Sequence, residues 1–269
     1  MDKDISLMVL TCYTYKGLWQ PFLKLKNKYI NYFKTYFCVD EIKDYQINEN
    51  NLEIISYGKK SNVNRHGGNF FDRLLYYLDK IPTKYIIFFL DDMPPLGIVE
   101  EEKIYKIVNI MEREKIDYVK LSELTVPYSG QIITIDNINF TVANNSDKLF
   151  NTQPCLIKRE IFIDMVNYCK TNNRIYQNGG LELYGTEYFR KYNIKCLKTV
   201  EDTVKISSPA GFVASGILDQ TVRIMLKEKE DIDIETFKDG LIYELTNEEY
   251  NFVGDRFIRE YKRRNIGQT

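Results

Sequence analysis

Two adjacent carboxylates, Asp91 and Asp92, close an unbroken apolar run, Tyr85-Ile86-Ile87-Phe88-Phe89-Leu90, and are followed by Met93-Pro94-Pro95. Neighbouring carboxylates repel, and holding them at the end of a buried strand is costly unless a cation or strong donors compensate. A hard divalent ion, Mn²⁺ or Mg²⁺, accepts such oxygens and binds diphosphate oxygens at the same time. The bland alternative is a solvated turn in which an Asp caps the strand before two prolines. His66, the sole histidine, sits in Asn64-Arg65-His66-Gly67-Gly68-Asn69, a loop whose backbone N–H groups suit a phosphate. The five cysteines, Cys12, Cys38, Cys155, Cys169 and Cys196, show no paired short spacing, so they read as reduced core residues rather than a zinc knuckle or a Cys-x-x-Cys pair.

These groups need elements to position them. Residues 5–11 form a short apolar run of the kind a buried parallel strand shows, and Leu18, Phe22, Leu25 and Tyr29 recur at helical spacing after it. A second strand at 33–39 stops at Asp40, and a third spans 52–57. Phe70, Phe71, Leu74, Leu75 and Leu78 mark one face of a helix, with Pro82 beyond its end. The acidic strand comes next, then a helix bearing Ile104, Ile107, Val108 and Met111, and a strand at 117–121. Residues 131–143 read as a β-ribbon turning at Asp136-Asn137. A helix at 159–171, a Gly-rich stretch at 179–185, a strand at 194–199 and a Gly/Ser-rich segment at 207–216 follow. Segment 246–264 opens on Thr246-Asn247-Glu248-Glu249 and ends in Arg256, Arg259, Lys262, Arg263 and Arg264, as a basic helix would. The alternation predicts an α/β fold with a mainly parallel, mixed sheet flanked by helices and a small β-ribbon. One domain over 1–245 with a helical tail at 246–269 is the simplest organisation.

The 37 basic and 38 acidic residues cancel, leaving no global field to hold a nucleic-acid backbone. Specificity must therefore sit in a local site. No segment approaches the roughly 20 apolar residues of a membrane helix, and the first residues lack the pattern of a secretion signal, so a cytoplasmic protein is expected.

The succession of motifs resembles small GT-A glycosyltransferases encoded with bacterial capsule and lipopolysaccharide genes. It is carried by Phe71-Asp72-Arg73-Leu74-Leu75, by Thr83-Lys84 and the strand ending Leu90-Asp91-Asp92-Met93, by Thr152-Gln153-Pro154-Cys155 and by Gly180-Leu181-Glu182-Leu183-Tyr184-Gly185, spanning roughly residues 5 to 215. One departure stands out: the Asp-x-Asp motif is here Leu-Asp-Asp-Met, one outer acid short in either register.

The resemblance implies a hexosyltransferase-like enzyme that moves a sugar from a nucleotide-diphosphate sugar to a glycan or lipid-linked acceptor, with inversion. It places Thr11, Tyr13 and Asp40 around the nucleotide base and ribose, compatible with a tyrosine stacking face and a carboxylate that accepts hydrogen bonds. Arg73 would face the diphosphate, Asp91 and Asp92 would hold the donor and Mn²⁺ or Mg²⁺, and Gln153 would bond the donor sugar or an acceptor hydroxyl. Glu182, between glycines at the opening of a helix, is the expected general base, with Glu187 its neighbouring competitor. The segment 207–216 would close over the diphosphate. The basic tail would contact the inner face of the membrane peripherally.

Two other readings stay open. A sugar nucleotidyltransferase shares the sheet and the metal, although Thr11-Cys12-Tyr13-Thr14-Tyr15-Lys16-Gly17 lacks the glycine-rich basic loop such enzymes carry. A non-catalytic nucleotide-sugar or carbohydrate-binding protein is compatible with the incomplete aspartate motif.

Overall fold

The computed structural model describes residues 4–42, 49, 51–58, 70–172, 180–206, 213–214, 217–218 and 226–232. The loop 64–69 with His66, most of 207–216 and the basic segment 246–264 lie outside them. Within the segment 207–216 read from the sequence as a loop, residues 213–214 form a short strand that pairs antiparallel with 217–218.

The first half of the chain alternates strands and helices: β1 (Ile5–Leu10), a 3-10 turn (Tyr13–Leu18), α1 (Trp19–Tyr29), β2 (Lys34–Val39), β3 (Leu52–Ser56), α2 (Phe70–Lys80), β4 (Tyr85–Leu90) and α3 (Glu101–Arg113). There follow β5 (Tyr118–Lys120), the ribbon β6 (Ile132–Ile135) and β7 (Ile138–Val142), β8 (Cys155–Lys158), α4 (Arg159–Asn172), α5 (Gly180–Lys191) and β9 (Cys196–Thr199). All nine strands join one sheet in the order β3-β2-β1-β4-β8-β5-β9-β7-β6. β3, β2, β1 and β4 are mutually parallel; β8 then runs antiparallel between β4 and β5, and β9 returns parallel to β5. The sheet is thus mixed, and helices cover both faces, as the α/β expectation requires.

The strands read as continuous apolar runs because both faces are buried. Leu7, Val9, Phe37, Val39, Ile87 and Phe89 point into one core with Phe22 of α1 and Ile104 and Ile107 of α3. Met8, Tyr36, Cys38, Ile86 and Phe88 point into the other with Leu74 of α2, Phe162 and Met165 of α4 and Phe189 of α5. The ribbon turns where the sequence places it: Asp136 and Asn137 both take positive φ, 49° and 63°, which these residue types tolerate in a two-residue hairpin. Rather than standing apart, the ribbon extends the sheet through β7 and β9. All five cysteines are free, and all but the half-buried Cys12 are buried. Among the described residues no helix is long and apolar enough to cross a membrane.

Candidate functional site

Strand direction brings the polar residues to one edge. The carboxyl ends of β1, β2, β4, β5 and β9 and the amino end of antiparallel β8 share it, and α2 and α5, each leading into a strand that ends there, begin there. In open α/β sheets this edge is where ligands bind.

Asp91 and Asp92 occupy the turn that ends β4, closed by the Met93 N–H donating to the Leu90 carbonyl at 3.1 Å. Asp91 is buried, 5 % exposed, and its Oδ2 accepts the hydroxyl of Thr11 at the end of β1. Thr11 Oγ1 in turn accepts the indole N–H of Trp19 at 2.8 Å. Burial, then the charge of Asp92, push the Asp91 carboxyl well above the usual range, against the pull of Thr11 and local backbone N–H groups. Burial likewise raises Asp92 to about 7. Asp92 Oδ1 is buried with no hydrogen-bond partner among the described residues.

At the end of β2, Asp40 is 1 % exposed. Its Oδ1 accepts the N–H groups of Tyr13 at 2.7 Å and Glu41 at 2.9 Å, and its Oδ2 lies 3.5 Å from Arg73 Nη1. Arg73 reaches in from the first turn of α2, and its Nε is buried and unpaired among the described residues. Tyr13 keeps a half-buried ring with the Lys16 ammonium 4.7 Å from its centre. Cys12 lies among these charges, but burial, reinforced by Asp91, raises its thiol to about 12, which leaves it no nucleophile. Thr11, Tyr13, Asp40, Arg73, Asp91 and Asp92 therefore meet in one place, although Asp40 is spent on organising its neighbours.

Glu182 stands in the first turn of α5. Its Oε1 accepts both the N–H, at 2.9 Å, and the hydroxyl, at 2.8 Å, of Thr152, and its Oε2 pairs with the Lys148 ammonium. Burial raises its pKa, but Lys148 and Thr152 outweigh it, so the carboxyl titrates below its ordinary range and is ionised at neutral pH. Thr152 precedes β8, which places Glu182 at the same sheet edge as Asp91 and Asp92. Glu187 points elsewhere, accepting the Tyr168 hydroxyl of α4 at 2.7 Å. Gln153 is buried, with Oε1 accepting from the Val126 N–H at 3.2 Å and Asn151 Nδ2 at 2.5 Å. Past β9 the chain crosses this edge: the Thr203 and Val204 N–H groups both donate to the Leu121 carbonyl, and the Leu96 N–H to Lys205.

Sequence reasoning missed Trp19, Lys148 and Lys120. Lys148 carries no local signal, since its partner Glu182 lies 34 residues on, and Trp19, eight residues past Thr11, meets it only through the turn that joins β1 to α1. Lys120 had one: a charge in the short apolar strand Tyr118-Val119-Lys120-Leu121.

Fold and site together define an α/β protein with an acidic pair of one buried and one half-buried carboxylate, an arginine and strand-end hydroxyl and carboxylate groups at the carboxyl edge of a mixed sheet. No model of a known protein family matches the chain, and no curated protein matches it. Among solved structures, S. aureus TarS 1-349 is similar at 13 % identity and a TM-score of 0.46, covering 72 % of this chain and 59 % of that one. S. aureus TarS 1-349 in complex with UDP-GlcNAc gives 13 % and 0.45, covering 79 % and 62 %, and S. aureus TarS gives 12 % and 0.46, covering 75 % and 36 %. The chain spans about three fifths of the length of TarS 1-349.

Proposed function

We propose that this chain is a glycosyltransferase that moves a sugar from a nucleotide-diphosphate sugar to a hydroxyl of a glycan or lipid-linked acceptor. The observation that carries the reading is the Asp91–Asp92 turn, with Asp91 buried and Asp92 Oδ1 buried and without a partner among the described residues, at an edge also reached by Thr11, Tyr13, Arg73 and Glu182. Two desolvated carboxylates without a cation are an unfavourable arrangement for a structural turn and a favourable one for a Mn²⁺ or Mg²⁺ ion. Among the described residues no group of three or more His, Cys, Asp and Glu is placed to hold a metal ion, so an ion here would need diphosphate oxygens and water for the rest of its shell. Asp92, with Asp91, would hold that ion. When bound it would supply positive charge to the departing diphosphate.

The chain's own groups account for the rest. Arg73 contributes a fixed cation toward the diphosphate, and Tyr13 a ring face for the base. Glu182, ionised, takes the proton from the acceptor hydroxyl as that oxygen attacks the anomeric carbon; the bond to the diphosphate oxygen breaks, and the nucleoside diphosphate leaves with the electron pair. Attack opposite the leaving group inverts the anomeric centre. To accept the proton, Glu182 must exchange one of its Thr152 or Lys148 contacts for the acceptor hydroxyl.

Thermal-shift screening of UDP-, GDP-, CMP- and dTDP-sugars with Mn²⁺ tests the reading, since a bound donor raises apparent stability by mass action. At least one donor should stabilise the protein and be hydrolysed or transferred, and Asp92→Ala should abolish both effects. Stabilisation without turnover would assign a nucleotide-sugar-binding protein; no response to any donor would remove the proposal.

A further inference from the structure

Lys120 is wholly buried in the middle of the sheet, on a strand flanked by β8 and β9. Its ammonium donates to the carbonyls of Lys148 at 2.8 Å and Val126 at 3.1 Å, and lies 3.9 Å from the ring centre of Tyr128. Both carbonyls belong to segments that hold site residues. Lys148 extends its own ammonium to Glu182 Oε2, and the Val126 N–H donates to Gln153 Oε1 at 3.2 Å. Tyr128, beneath the Lys120 charge, ties the same two segments again by donating its hydroxyl to the Leu149 carbonyl at 2.6 Å.

The arrangement is expensive for a purely structural strand. Burial drives the Lys120 ammonium down to about 7, and Lys198, level with it on β9, is a second buried lysine of like charge. Lys198 Nζ clasps the carbonyls of Glu123 at 2.9 Å and Thr125 at 3.3 Å, the preceding part of the loop that Lys120 holds at Val126. An apolar residue at 120 would fill the core without desolvating a cation. What it would lose is the one side chain that grips the backbone of both loops at once, at Val126 and at Lys148, inward of the ties that Tyr128 and Ser129 make to Leu149 and Asp147.

We propose that Lys120 is a positioning residue for the acceptor half of the site, setting Glu182 through the backbone of Lys148 and Gln153 through the backbone of Val126. The role rests on the glycosyltransferase reading, and deepens it: donor groups at the ends of β1, β2 and β4 are held independently of Lys120.

The test is steady-state transfer by Lys120→Met, alone and combined with Glu182→Gln, with donor affinity followed by thermal shift and folding by circular dichroism. Displacing a base by a fraction of its contact distance costs up to about 100-fold in rate, so kcat should fall by about that factor while donor affinity stays within about twofold. On the Glu182→Gln background the same substitution should cost at most about a further tenfold, because the part of its effect that runs through Glu182 is already lost and only the part through Gln153 remains. A folded Lys120→Met enzyme with unaltered kcat, or losses that multiply fully in the double variant, would overturn the role. If Lys120→Met does not fold, Lys120→Gln, which keeps one donor on a shorter stem, is measured in the same way. Wild-type protein that binds and turns over no nucleotide sugar sinks the activity itself, whereas an active wild type with equally active Lys120 variants sinks only the positioning role.

Discussion

The Thr11 hydroxyl donates to Asp91 Oδ2 while its oxygen accepts the indole N–H of Trp19 at 2.8 Å, joining the end of β1, the start of α1 and the acidic turn after β4. Trp19 is the sole tryptophan and is fully buried against Phe37 and Tyr13 in edge-to-face contacts. One side-chain hydroxyl thereby helps set which way the Asp91 carboxylate faces, together with the local backbone N–H groups.

Thr11→Val keeps the shape of the side chain but leaves the indole N–H and a carboxylate oxygen unpaired, a loss of about 1–3 kcal/mol for each buried group. We expect a lower unfolding midpoint in urea, a shifted Trp19 emission maximum and donor affinity weakened by about tenfold or more. Emission and affinity identical to wild type would show that Thr11 does not orient Asp91.

The raised carboxyls make stability depend on pH in a defined direction. Asp92 titrates near the ordinary aspartate value of 3.8 when unfolded but about 7 when folded, so between these values the folded state binds more protons. Stability associated with this group is complete below about 4 and lost as pH rises through about 7. Asp92→Asn removes the buried charge, so its unfolding temperature should exceed that of metal-free wild type by a margin that widens from pH 4 to pH 7.5, roughly 2–4 °C for each kcal/mol relieved. Adding Mn²⁺ should narrow the margin by stabilising wild type alone. A margin independent of pH would contradict the burial of the Asp92 charge.

Glu182→Gln preserves the bonds accepted by Oε1 from Thr152 if the amide oxygen takes that position, but loses the charge that pairs with Lys148. Donor binding should persist, and transfer should fall by roughly 100- to 10,000-fold, the usual worth of a positioned general base. Glu187→Gln, at the residue bonded to Tyr168, should leave transfer close to wild type. Comparable losses in both variants would remove the distinction between these glutamates.

The placement of Glu182 also depends on how closely α5 approaches its neighbours. A Cβ added at Gly185 would lie 2.9 Å from Met165 Sδ and 2.9 Å from Phe150 Cδ1. Gly185→Ala should therefore push α5 outward and cost about 1–3 kcal/mol by overpacking, despite the better helix propensity of alanine. Since Thr186 donates its hydroxyl to the Phe150 carbonyl at 3.2 Å, the same shift strains the segment before Thr152, and transfer should decline with stability. A more stable and fully active Gly185→Ala protein would show that this contact yields freely.

By itself, the order of residues determined the alternation of strands and helices, because apolar runs such as Tyr85–Leu90 and stripes such as Ile104, Ile107 and Met111 follow from periodicity alone. It also marked Asp91, Asp92, Thr11, Tyr13 and Asp40 as groups at or near strand ends and Arg73 as a residue of the helix before the acidic strand, where a local pattern is legible. Tertiary structure alone decided what each of these groups does with its bonds: Asp40 turned toward Tyr13 and Arg73, Thr11 bridging Trp19 and Asp91, Gln153 taken by Val126 and Asn151. Only the antiparallel insertion of β8 between β4 and β5 brings Thr152, and with it Glu182, to the edge that bears the acidic pair. The reason is that a sequence encodes the direction and burial of its own segment through nearest neighbours, whereas Lys120 and the Lys148 carbonyl, 28 residues apart, or Thr11 and Asp91, 80 residues apart, meet through tertiary packing that no local period records.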